Sequence, residues 1–233
     1  MADELKLDTN YTFFGDPKRQ FPRVQDDNNI DVVEFLAASE LMPRFFVHMG
    51  KNFMFVKSDV QQNVHKIKAA HEAYPECKTL KEILDVEYAK GVHKKDSSCS
   101  MALMWFRRGL LFMYLLLRQL VVYYREHERI PERSKDAANL SYRHSLRDHH
   151  NLVVRGLVTV AIKFLPTPTE MVLNLAFRDD TKIPKVIDET EATLDLLKPC
   201  LNAILRYYKD HEDYASDVKS ENYEQCDAWQ KQE

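Results

Sequence analysis

Asp59, Asn63 and Lys66 are spaced four and three residues apart, which places them on one face of a helix, one above the other. From spacing alone they read first as a solvated face. They also read as a polar head-group site, with an acceptor, an amide and a cation in a row. A second candidate is Trp105, an indole with a polar tip beside Arg107 and Arg108 at the start of a greasy run. At 100° per residue Arg108 lies about 300° from Trp105 and Arg107 about 200°, so only Arg108 can share its side of a helix. His150 is the third candidate, read as mid-helix and flanked by His149 and Asn151. Asp59 and His150 could form an acid/base pair. No nucleophile or metal-ligand spacing accompanies them, so no enzyme, metal or cofactor is expected.

The element that must position Trp105 is the stretch 100–120. Leu, Met, Ala and Arg dominate it and no proline interrupts it, which specifies a helix. Leu103, Met104, Phe106, Leu110, Leu111, Met113, Leu115 and Leu116 point almost all the way round. A helix apolar on every side is buried in protein or spans a membrane. Arg107, Arg108 and Arg118 break the run of about 20 apolar residues that a span requires, so a buried central helix is expected, running to about Arg129 before Pro131. The Asp59 row falls on a helix from about Asn52 to Tyr74, whose apolar edge is Phe53, Val56, Val60, Val64 and Ile67.

Around these lie a helix beginning near Ile30 and broken or kinked by Pro43, with Gly50 as a C-cap, and a short amphipathic helix over Leu80 to Val86 ending at Gly91. A polar linker, 92–98, follows, with Ser97 or Ser98 capping the central helix. One helix from near Ser134 through Tyr142 and Val153 to Leu165, stopped by Pro166 and Pro168, should carry His150. A short helix over 171–177 and a long one from Lys182 to about His211, with Pro199 inside it, complete the expectation. The domain layout is an irregular N-terminal extension, 1–27, a helical domain, 28–216, and a polar tail, 217–233, in which Trp229 stands out.

Composition narrows the class. The chain has 233 residues, 45% of them hydrophobic, and only 5 glycines, as a compact, mostly helical single domain would. Its formal net charge of −3 is no footprint for nucleic acid. Cys77, Cys99, Cys200 and Cys226 match neither a zinc site nor a disulfide framework. The N-terminus lacks a basic start followed by an apolar core, so no signal peptide is read, and a reducing, cytoplasmic location is the default.

The block Ala102-Leu-Met-Trp-Phe-Arg-Arg-Gly-Leu110 resembles the signature of the glycolipid transfer proteins. Four further blocks resemble that family in the same order: Leu41-Met-Pro-Arg-Phe-Phe46, Asp59-Val-Gln-Gln-Asn-Val-His-Lys-Ile67, Thr79-Leu-Lys-Glu-Ile-Leu-Asp-Val-Glu87, and His150 followed sixteen residues later by Pro166. The resemblance covers about Ile30 to Tyr208. It implies an all-α, two-layer helical sandwich without β-sheet, and a non-enzymatic carrier of sphingolipids between membranes. It also implies a head-group centre at Asp59, Asn63, Lys66, Trp105 and His150. The implied chain pocket is lined by Phe45, Phe46, Met101, Leu146, Val158, Ala161, Phe164 and Leu165.

Within the family, the ceramide-1-phosphate branch places cations where this chain has Asn63 and Trp105. A phosphate is best held by fixed positive charge, so the resemblance implies a glycosphingolipid with a neutral sugar. A ceramide-1-phosphate carrier and a helical adaptor without lipid are the alternatives. Where the family often has a membrane-docking Trp two residues after its His, this chain has Leu152. The Phe45-Phe46 block is followed by Val47 and His48, not by the acidic residue that would make it resemble a motif read by an endoplasmic-reticulum adaptor. Thr12-Phe-Phe-Gly-Asp16 is a weak substitute for that motif.

Overall fold

The computed structural model describes residues 10–25, 29–132, 135–211 and 213. The C-terminal tail and Trp229 lie outside them. The described residues are all-helical, with a single isolated bridge between Asp31 and Thr79 and no strand. Nine helices are seen among them: α1 (Val32–Ser39), α2 (Met42–His48), α3 (Met54–Ala73), α4 (Leu80–Ala89), α5 (Cys99–His127), α6 (Lys135–Ser145), α7 (Leu152–Lys163), α8 (Pro168–Leu175) and α9 (Ile183–Asp210). They form a two-layer helical sandwich with α5 at its centre, packed against α3, α4, α6 and α9.

Helix α5 is long and apolar enough to cross a membrane by length and composition, yet 83% of its most apolar window is buried within the protein. Its start is fixed twice. Ser98 accepts from the Met101 N–H at 3.0 Å, and the buried carboxylate of Glu87, from α4, accepts from the N–H groups of Cys99 and Ser100 at 2.7 and 2.8 Å. Together they occupy N–H groups that a helix N-terminus leaves unsatisfied, and they set the position of Trp105 less than two turns further on. Helix α4 carries its own capping box between Thr79 and Glu82.

Three expectations change. The break before Phe45 falls at residues 40 and 41, and Pro43 sits in the first turn of α2, where its missing N–H costs nothing. The helix expected to run unbroken from near Ser134 to Leu165 is two helices. α6 ends at Ser145, a 3-10 turn spans Arg147–His149, and α7 restarts at Leu152 with Asn151 as its cap, accepting from the Val154 N–H. His150 therefore lies in extended backbone between two helices, not within one. The apolar spacing ran on across the break and hid the Asn151 cap.

The third change concerns the N-terminal extension. Residues 10–25 hold one 3-10 turn, Pro17–Arg19, and they are not separate from the core. Phe13 and Phe14 are buried and pack on Phe45, with ring centroids 6.4 Å away in each case. The Phe13 N–H donates to the Leu175 carbonyl at 2.9 Å, and the Thr12 hydroxyl donates to Glu189. Gly15 stands where a Cβ would collide with the Glu189 carboxylate. Burial of Phe13 and Phe14 also removes Thr12–Asp16 as an exposed adaptor motif in this structure.

Candidate functional site

Helix α3 presents the first half of the site. Its apolar residues Val60, Val64 and Ile67 are buried, which fixes its rotation and leaves Asp59 exposed, Asn63 buried and Lys66 half-buried. The Asn63 amide donates to the Asp59 carboxylate at 3.5 Å. Dehydration by the surrounding protein raises the pKa of Asp59 above the ordinary carboxylate value, and the Lys66 charge opposes that rise. The Lys66 ammonium reaches Asp96, in the loop before α5, at 2.9 Å.

Trp105 and His150 form the second half. The indole is half-buried, and its ring centroid lies 6.1 Å from that of His150 with 16° between the planes, within the range of offset aromatic pairs. Beneath the indole, the buried Arg108 guanidinium sits 4.7 Å from the ring centroid, a cation–π contact. Arg107 turns the other way and donates to the Leu201 carbonyl of α9 at 2.9 Å, as the 100° step requires.

His150 is held from two sides. Tyr142 of α6 bonds its Nδ1 at 2.9 Å, and Arg155 of α7 donates to its backbone carbonyl at 2.8 Å. Burial first, then the charges of His149, Arg108 and Arg155, lower its pKa to about 4, so the imidazole is neutral at pH 7.

Phe45, Phe46, Val158, Ala161 and Leu165 are buried, and Met101 and Leu146 are partly buried against the same core. Phe164 departs from the expectation. It caps the end of α7 with its side chain 62% exposed, pointing away from the interior. It joins Val153, Leu157 and Val160, spaced four, three and four apart on the outer face of α7, with Leu152 beside them at 83% exposure. Together they leave an apolar face exposed on the outside of α7.

Sequence reasoning missed Tyr142 and Asp96. Tyr142 reads from the sequence only as an apolar position of its helix, and its reach to His150 depends on the break that the spacing conceals. Asp96 lies in a run of lysines, aspartate and serines that carries no local signal.

The fold and the site define an all-α sandwich with a polar cluster at its surface and an apolar interior behind it. The family model for glycolipid transfer proteins matches residues 30–177, and the chain belongs to that family. It is similar to the glycolipid transfer protein of Danio rerio, with 28% identity over 194 residues, 82% of this chain and 92% of that one. Its fold is similar to the structure describing how FAPP2 selects simple glycosphingolipids, with a TM-score of 0.76 and 22% identity over 86% of this chain and 96% of that one. It is also similar to mouse ceramide-1-phosphate transfer protein, with a TM-score of 0.70 and 18% identity over 81% and 91%.

Proposed function

We propose that this chain is a non-enzymatic, cytoplasmic carrier that extracts a glycosphingolipid from one membrane and delivers it to another. The observation that carries this reading is the half-buried face of Trp105, held parallel to a neutral His150. A sugar ring has an apolar face that packs on an indole and hydroxyls that need both acceptors and donors. Asp59 accepts, Asn63 does both, and Lys66 donates.

His150 completes the centre. In the tautomer that serves it, the Tyr142 hydroxyl donates to Nδ1 and Nε2–H is left to donate to the amide carbonyl of the ceramide. The hydrocarbon chains enter between Phe45, Phe46, Val158, Ala161 and Leu165. Each buried CH₂ contributes about 0.8 kcal/mol, so long chains bind largely by burial once the packed side chains part. The outer face of α7, from Leu152 to Phe164, seats the protein transiently on the bilayer.

A phosphate-headed ceramide is the second reading, and the observation that favours it is Arg108, a buried cation next to Trp105 and His150. Native mass spectrometry of the purified protein tests carrier against adaptor. A carrier retains a co-purified sphingolipid or takes up added galactosylceramide one to one, and an adaptor does neither.

A further inference from the structure

Asp96 lies in the loop between α4 and α5, outside the five residues of the proposed head-group centre. Its side chain is 94% exposed, yet its carboxylate meets the Lys66 ammonium at 2.9 Å across thirty residues of sequence. An exposed pair of this kind contributes little to stability.

The loop is nonetheless built to hold it. At its root His93 stacks on Tyr88, with ring centroids 3.9 Å apart and planes at 11°, and Lys94 pairs with Asp213 at 3.1 Å. The turn is closed by N–H bonds from Lys95 to Val92 and from Ser98 to Lys95, at 3.0 and 2.9 Å. The Ser98 hydroxyl, already the cap of α5, donates to the His93 carbonyl at 2.8 Å. Asp96 therefore sits in a braced loop at the edge of the head-group row, two residues before the cap of the helix that carries Trp105.

We propose that Asp96 is a specificity-determining residue that neutralises Lys66 and turns anionic head groups away from the site. The proposal rests on the glycosphingolipid reading and names how that site tells a sugar from a phosphate. Lys66 is the cation of the α3 row, and a phosphate seated there would meet the Asp96 carboxylate within a few ångströms. Repulsion from a fixed like charge at that range discriminates by differential binding, and a phosphomonoester carries between one and two negative charges at pH 7. A neutral sugar meets no such repulsion and finds in Asp96 one more hydroxyl acceptor. Lys66 is paired with Asp96 and acts electrostatically on Asp59, seven residues earlier on α3, which leaves that ammonium suited to donating hydrogen bonds to hydroxyls.

The test is vesicle-to-vesicle transfer of galactosylceramide and of ceramide-1-phosphate by the full chain, as wild type, Asp96→Asn and Asp96→Glu, with melting temperatures measured alongside. In Asp96→Asn the ratio of ceramide-1-phosphate to galactosylceramide transfer rises about tenfold at low salt, and the gain shrinks as salt screens the freed Lys66. Asp96→Glu returns the ratio towards wild type. A ratio unchanged in Asp96→Asn, or a loss of galactosylceramide transfer with no relative gain for the phosphate lipid, overturns the assignment. Wild-type protein that transfers neither lipid overturns the carrier reading itself, a result visible before any variant is made. A fall in melting temperature in both variants shows that Asp96 holds the loop and overturns the assignment too.

Discussion

The Tyr142 hydroxyl and the Nδ1 of His150 lie 2.9 Å apart, joining the end of α6 to the turn before α7 at the edge of the Trp105 indole. The bond crosses a helix break and occupies one imidazole nitrogen. Burial with His149, Arg108 and Arg155 nearby holds the ring neutral down to about pH 4. Between pH 4 and the ordinary histidine value of 6.5 the unfolded chain binds more protons than the folded one. His150 therefore contributes stability that is full above pH 6.5 and is lost as pH falls towards 4. Denaturant midpoints of His150→Gln should vary less with pH across that window than those of wild type. An equal slope in both proteins would show that His150 titrates normally.

In the proposed function Trp105 is the stacking platform for the sugar. Trp105→Ala should weaken galactosylceramide binding about tenfold, the loss of an aromatic contact worth about 0.5–1.5 kcal/mol beyond its area, while Trp105→Phe keeps part of it. Isothermal titration with a short-chain galactosylceramide measures both. If both variants bind as wild type does, the sugar does not rest on the indole.

Asp59 is exposed and lies outside the core, and the proposed function gives it a head-group role. Asp59→Val should remove one or two charge-assisted hydrogen bonds worth about 1.5–3 kcal/mol each and reduce transfer tenfold or more. The melting temperature should stay within about 2 °C of wild type, since surface substitutions rarely exceed about 0.5 kcal/mol. A large drop in melting temperature would make Asp59 a structural residue.

The outer face of α7 should seat the protein on bilayers. Leu152→Glu and Leu157→Glu change exposed side chains, so folding should be unaffected. Removing a leucine worth about 1.5–3 kcal/mol of burial should reduce vesicle co-sedimentation about tenfold or more. Soluble short-chain lipid should bind as before. Undiminished sedimentation would place the membrane contact elsewhere.

Much of this arrangement could be read from the chain because it is local. The α3 row needs only the 3.6-residue period, and Val60, Val64 and Ile67 orient it. The placement of Arg107 and Arg108 on different sides of α5 follows from the same arithmetic. Local pattern is a poor guide where it competes with tertiary packing. The apolar spacing of Leu146 and Val153 bridges residues 147–151, so it masks the Asn151 cap and predicts a helix through His150. Phe164 is implied as a pocket residue by the resemblance alone; its helical period is that of Val153, Leu157 and Val160, and it faces out with them. The N-terminal strap has no periodicity, and only its docking on Phe45 makes Phe13 and Phe14 core residues. Asp96 meets Lys66 through a loop whose shape depends on contacts with Tyr88 and Asp213, which no spacing rule encodes.

The neutral-sugar reading is tested most directly by wild-type transfer of galactosylceramide and ceramide-1-phosphate between neutral vesicles, side by side, at physiological salt. Hydroxyl bonds and stacking are weakly screened, whereas a phosphate–cation contact is not. Galactosylceramide should therefore move faster, with a rate that changes little between low and physiological salt. Faster movement of ceramide-1-phosphate would contradict the account and make Arg108, beneath Trp105, the head-group cation.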